Sequence, residues 1–185
     1  SGTRRVPTAD GHHTLFVCEY GDKTRSRASV VYLHGGPGGG SPPDIARLFD
    51  PETYHLVVFD QRGCGKSECG DRLLANTLDL LVADVETVRE AIGVTEWGVM
   101  GSSYGSLLAA LYAARHAAHV SWALLHGVFL GSRAEVSWLY AEGGASRFYP
   151  QQWDEMSAFI TARPGDTEAA TAATGASGAS TAPAA

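Results

Sequence analysis

The stretch Trp97-Gly98-Val99-Met100-Gly101-Ser102-Ser103-Tyr104-Gly105-Ser106-Leu107-Leu108 decides the fold. A short apolar run leads through small residues into a Leu- and Ala-rich segment that continues to His116, the order of a strand, a sharp turn and a buried helix. Gly101 and Gly105 frame Ser103 as G-x-S-x-G, the turn that holds a serine exposed between a strand end and a helix start. The two glycines permit so tight a turn, and the helix start brings free N–H groups beside the serine oxygen. In a chain with 22 glycines the pattern alone is weak, and an ordinary turn would satisfy it. The strand before it and the helix after it give it weight.

On the N-terminal side three strands are predicted, over 14–20, 29–34 and 54–60, the last two apolar enough to be buried on both faces. Leu78, Leu81, Val82, Val85, Val88 and Ile92 recur at three- and four-residue steps, which predicts an amphipathic helix within 76–94. Beyond His116 the run Trp122-Ala123-Leu124-Leu125-His126 reads as a further strand. Alternating strands and helices give an α/β fold with a mostly parallel sheet flanked by helices.

The chain has 185 residues, 44% hydrophobic and 18% charged, a length and composition suited to one folded domain. Its 14 Lys and Arg against 20 Asp and Glu give a net charge of -6, which offers no basic surface for nucleic acid. There is no apolar run of membrane-spanning length and no apolar leader after Ser1, so neither a membrane partner nor secretion is expected. Cys18, Cys64 and Cys69 show no redox or zinc spacing, which fits a reducing, cytoplasmic setting. No cofactor and no metal site is expected. Residues 164–185 are almost entirely Ala, Thr, Gly and Ser and cannot build a core, so they are expected to be disordered.

His34-Gly35-Gly36-Pro37-Gly38-Gly39-Gly40 follows the second of the strands. Attack on a carbonyl needs two N–H donors aimed at the oxygen that becomes negative, one just after the nucleophile and one from such a loop. Tyr104 N–H and Gly36 N–H are the candidates. A phosphate cradle is the competing reading, but a P-loop ends in Gly-Lys-Ser/Thr at a fixed spacing that this loop lacks. In Asp60-Gln61-Arg62-Gly63-Cys64-Gly65-Lys66-Ser67 the Lys-Ser pair is present and the first glycine is misplaced. That loop is expected to shape the site.

Taken in order, His34 to Gly40, Asp60 to Ser67, Asn76 to Glu86, Gly101 to Ser106 and Gly144-Ala145-Ser146-Arg147-Phe148-Tyr149-Pro150 resemble the prolyl iminopeptidases. These are α/β-hydrolase enzymes that release an N-terminal proline from peptides. The resemblance covers roughly residues 11–160 and implies a serine aminopeptidase acting through an acyl-enzyme on Ser103. Gly36 and Tyr104 would hold the oxyanion, Gly35 and Gly36 would bind substrate, and a peptide with N-terminal proline would be the partner. Ser102 and Tyr104 depart from the family's usual Gly and Trp without removing the backbone donor.

The resemblance also implies an α/β-hydrolase core over 3–131 and the start of a helical cap over 132–163, with the last strands and most of the cap absent. The family's catalytic Asp and His come from those strands, so turnover by this chain is not expected. His116 and His119 lie 13 and 16 residues beyond Ser103, about 20 Å along a helix, and are read as solvated helix-end residues. His126 ends a strand and is weighed as a substitute base, but neither base nor acid is assigned. The aromatics of 132–160, Trp138, Tyr140, Phe148, Tyr149, Trp153 and Phe159, are read as packing residues before recognition residues. A non-catalytic truncated hydrolase or pseudo-enzyme, and an esterase using the same serine, are the alternatives. The final strand would form an unpaired edge, through which oligomerisation is expected.

Overall fold

The structure, a computed structural model, describes residues 2–162. The Ala-rich stretch 164–185 lies outside the described residues. The chain divides into two compact units, one ending at Leu130 and the other beginning at Gly131.

In the first unit the strands are β1 (Gly2–Pro7), β2 (His13–Tyr20), β3 (Ala28–Leu33), β4 (Tyr54–Asp60), β5 (Glu68–Cys69), β6 (Trp97–Ser102) and β7 (Val120–His126). They form one sheet in the order β1-β2-β4-β3-β6-β7, with β5 paired to β2. The run β4-β3-β6-β7 is parallel, whereas β1, β2 and β5 are joined antiparallel. The order jumps because helices α1 (Leu78–Ile92) and α2 (Tyr104–Arg115) carry the chain between parallel strands, which cannot be joined by a hairpin.

Period-two alternation gives β3 two buried faces. Val31 and Leu33 join Leu81, Val85, Val88, Leu108 and Tyr112 beneath the helices, while Val30 and Tyr32 pack with Ile45, Leu56 and Val58 on the other side. Full burial of such a side chain stabilises by about 1.5–3 kcal/mol, so α1 is held by its stripe rather than by propensity. Thr77 caps α1 by accepting the Leu80 N–H, and Gly93 ends it at φ 72°.

β1 was not expected. Its sequence is largely polar, it is exposed except at Val6, and its register with β2 is what makes it a strand. His116 and His119 are not freely solvated. His116 stacks on Tyr112 at 4.9 Å, His119 Nδ1 lies 3.0 Å from the Thr95 carbonyl, and each ring approaches Glu86 to 3.7 Å. No helix among the described residues is long and apolar enough to cross a membrane.

The second unit holds α3 (Arg133–Tyr140) and α4 (Pro150–Thr161). A capping box between Ser132 and Glu135 starts α3, and Pro150 stands in the first turn of α4, where its missing N–H costs nothing. Neither helix has a buried residue. Trp138, Tyr140, Phe148, Tyr149 and Phe159 are between 49% and 70% exposed, so the reading of these aromatics as packing residues is corrected: their surfaces are only partly covered. Two short helices, with Trp138 and Phe148 rings 6.1 Å apart, do not enclose a core.

Candidate active site

Ser103 stands between the end of β6 and the first residue of α2, exposed, with φ 53° and ψ -122°. A positive φ at a non-glycine residue stores strain, and it persists here because the neighbours leave no alternative. A Cβ on Gly101 would meet the Gly105 carbonyl oxygen at 2.1 Å, and one on Gly105 would meet the Leu33 carbonyl oxygen at 2.1 Å. Both glycines are therefore required by the approach of strand, turn and helix. The Ser103 N–H donates to the His126 carbonyl at 2.9 Å, tying the turn to β7. Fully buried Ser106 lies under the turn, its hydroxyl 2.6 Å from the Ser103 carbonyl oxygen and accepting from Phe129 N–H at 2.9 Å.

The glycine loop lies directly against this turn. A Cβ on Gly35 would fall 2.9 Å from the Ser102 carbonyl oxygen and 3.1 Å from Ser103 Cβ. Gly36 has φ 135° and precedes a cis peptide bond to Pro37. A side chain there would strike Gly38 N at 2.5 Å and Gly39 N at 2.7 Å. Neither the Gly36 N–H nor the Tyr104 N–H enters a hydrogen bond among the described residues. Two main-chain donors thus stand free on the two segments that meet at Ser103.

Buried side chains hold the loop in place. His34, 1% exposed, donates from Nδ1 to the Gly35 carbonyl at 2.8 Å and accepts at Nε2 from Gln61 N–H at 3.0 Å. Accepting at Nε2 requires a neutral ring, and burial pushes the His34 pKa below its ordinary value. Gln61 Nε2 returns a bond to the His34 carbonyl at 2.8 Å. Asp60 accepts from Ser41 N–H on the glycine loop and from Lys66 N–H on its own loop, both at 2.8 Å. Arg62, 1% exposed, makes a bidentate pair with Asp84 at 2.7 and 2.6 Å, a bond to Asp10 at 2.8 Å and another to the Ala75 carbonyl. Sequence gives Gln61, Arg62 and Ser106 no individual role, because the partners that define their roles are distant in sequence.

No hydrogen bond reaches Ser103 Oγ among the described residues. His126 pairs with Ser102 across the sheet, and its Nδ1 lies 3.4 Å from Ser102 Oγ. His34 has both ring nitrogens engaged elsewhere.

A family profile described as alpha/beta hydrolase fold matches residues 28–176, and the chain belongs to that family. Among curated proteins it is 48% identical over 131 residues to a proline iminopeptidase of Arabidopsis thaliana, matching 71% of this chain and 34% of that protein. It is 44% identical over 151 residues to a proline iminopeptidase of Xylella fastidiosa, matching 82% of this chain and 47% of that one. The chain therefore spans less than half the length of these two relatives. A crystal structure of the Mycobacterium smegmatis proline iminopeptidase superposes with a TM-score of 0.62 at 26% identity, covering 86% of this chain and 56% of that one.

Proposed function

We propose that Ser103 is the nucleophile of a serine aminopeptidase that releases N-terminal proline from peptides. The observation that carries this reading is the exposed Ser103 at φ 53°, with the glycine loop against it and the Gly36 and Tyr104 N–H groups unengaged. Relatives named proline iminopeptidase supply the substrate class.

In the proposed reaction Ser103 Oγ bonds to the carbonyl carbon of the first residue, and the carbonyl electron pair moves to oxygen between the two N–H donors. Collapse breaks the C–N bond, the amine leaves with a proton, and a prolyl ester remains on Ser103 until water releases proline. Serine needs a base for this. None is bonded to it among the described residues, which favours a second reading, a half-site that binds and reacts once without turning over. The helical unit from Gly131 is read as the opening of a cap, the free edge of β7 as a place of self-association, and the cytoplasm as the setting.

A serine-directed phosphonate tests the nucleophile. The expected result is one equivalent of label on Ser103, absent in Ser103→Ala, and slower labelling in Gly36→Ala. Alanine keeps the main-chain N–H, but its Cβ would strike Gly38 N and Gly39 N and swing that donor out of line; loss of one oxyanion donor commonly lowers rates by about 10²–10³-fold. Labelling that persists in Ser103→Ala overturns the reading. Turnover of a proline amide by the 185-residue chain at ordinary enzyme rates would remove the half-site alternative.

A further inference from the structure

A cavity of about 490 Å³ opens beside the turn, walled by Pro37 and Gly38 after the first proposed donor, by Tyr104, which carries the second, and by Arg62, Cys64 and Arg72. That volume is in the range that receives small ligands. Its charges are one-sided. Among the described residues no Asp or Glu lines it. Arg62 is already neutralised by Asp84 and Asp10. Arg72 is exposed, and its side chain has neither hydrogen bond nor ion pair among the described residues. Its backbone is anchored, with Asn76 Nδ2 donating to the Arg72 carbonyl at 2.9 Å and the chain packed so closely on Gly63 that a Cβ there would meet the Arg72 carbonyl oxygen at 2.6 Å. Burial, aided by the Asp60 charge, pushes the Cys64 thiol up, and the Arg72 charge opposes that rise.

A cationic cavity does not suit the protonated nitrogen of an N-terminal proline, which like charge would repel. It suits the other side of the scissile bond, where the leaving residue of a dipeptide carries its α-carboxylate two bonds from the departing nitrogen. Guanidinium and carboxylate form a charge-assisted, geometrically matched pair. We propose that this cavity receives the residue following proline and that Arg72 selects for a carboxylate on it, so that short peptides ending there are preferred. The inference rests on the reading of Ser103 as nucleophile. The carboxylate is either the free C-terminus of the leaving residue or an acidic side chain on it.

Protection of Ser103 from the phosphonate, followed by intact mass at dilute protein, separates these cases. Prolyl-alanine, prolyl-alanine amide and prolyl-glutamate amide serve as competitors. The expected result is protection by prolyl-alanine at about three- to tenfold lower concentration than by its amide, the range of a partly exposed ion pair. Arg72→Gln is expected to abolish that ratio and Arg72→Lys to keep part of it, with unchanged thermal melting as the check on folding. Prolyl-glutamate amide matching the free acid, again only with Arg72 present, supports the same contact made through a side chain. Equal protection by acid and amide, a preference that survives Arg72→Gln, or protection by none of the three overturns the assignment. Failure of Ser103 to label before any competitor is added overturns the nucleophile reading instead.

Discussion

Gly101 and Gly105 show how little freedom the Ser103 turn has. Each lacks a side chain because a carbonyl oxygen occupies the place of its Cβ, so Gly101→Ala and Gly105→Ala must push β6, β3 and α2 apart. Overpacking of this kind costs about 1–3 kcal/mol, to be read as a lowered urea midpoint. Gly70→Ala is the control: nothing lies within 4 Å of its Cβ position, and a change within about 0.5 kcal/mol is expected. Ser103 and its flanking glycines were legible because the constraint on them is local. Ser106, Gln61 and the second half of the Arg62 pairing were not, since each is defined by a partner brought near only by folding.

At the scale of elements, α1 and α2 are joined by Glu86. Its carboxylate accepts from Arg89 Nη2 at 2.6 Å and from the Tyr112 hydroxyl at 2.7 Å. The Arg89 hydrogen bonds, opposed by burial and aided by Tyr112, hold its pKa at about 2 against an ordinary 4.5. A carboxyl group depressed in the folded state stabilises above its unfolded pKa. That contribution is therefore present above pH 4.5 and is lost as pH falls toward about 2. The urea midpoint of the parent chain should exceed that of Glu86→Gln at pH 6, and the gap should narrow below pH 4.5. A constant gap would show that Glu86 acts through packing alone. The apolar stripe of α1 and the continuous apolar runs of β3 and β4 were legible as patterns. β1 was not, because an exposed edge strand is made by pairing with β2 and needs no hydrophobic period.

For the whole first unit the deciding feature is the free side of β7. Among the described residues β7 pairs only with β6, and Trp122 and Leu124 are 37% and 46% exposed. Open edges with apolar side chains invite strand addition. Sedimentation of the chain should show concentration-dependent association that Leu124→Lys reduces; monomer at all concentrations would leave the edge without that role. The α/β class and the strand-turn-helix around Ser103 could be read from sequence because a parallel sheet repeats one pattern. The exposed aromatics of α3 and α4 could not, since apolar content alone does not say whether a partner surface exists.

Asp60 sits where two loops of the first unit meet, one carboxylate oxygen fastened to each. The loops therefore cannot loosen independently. Amide protons at Ser41 and Lys66 should exchange with solvent deuterium at a common opening rate, and Asp60→Asn, with one acceptor oxygen in place of two, should release whichever loop faces its nitrogen first.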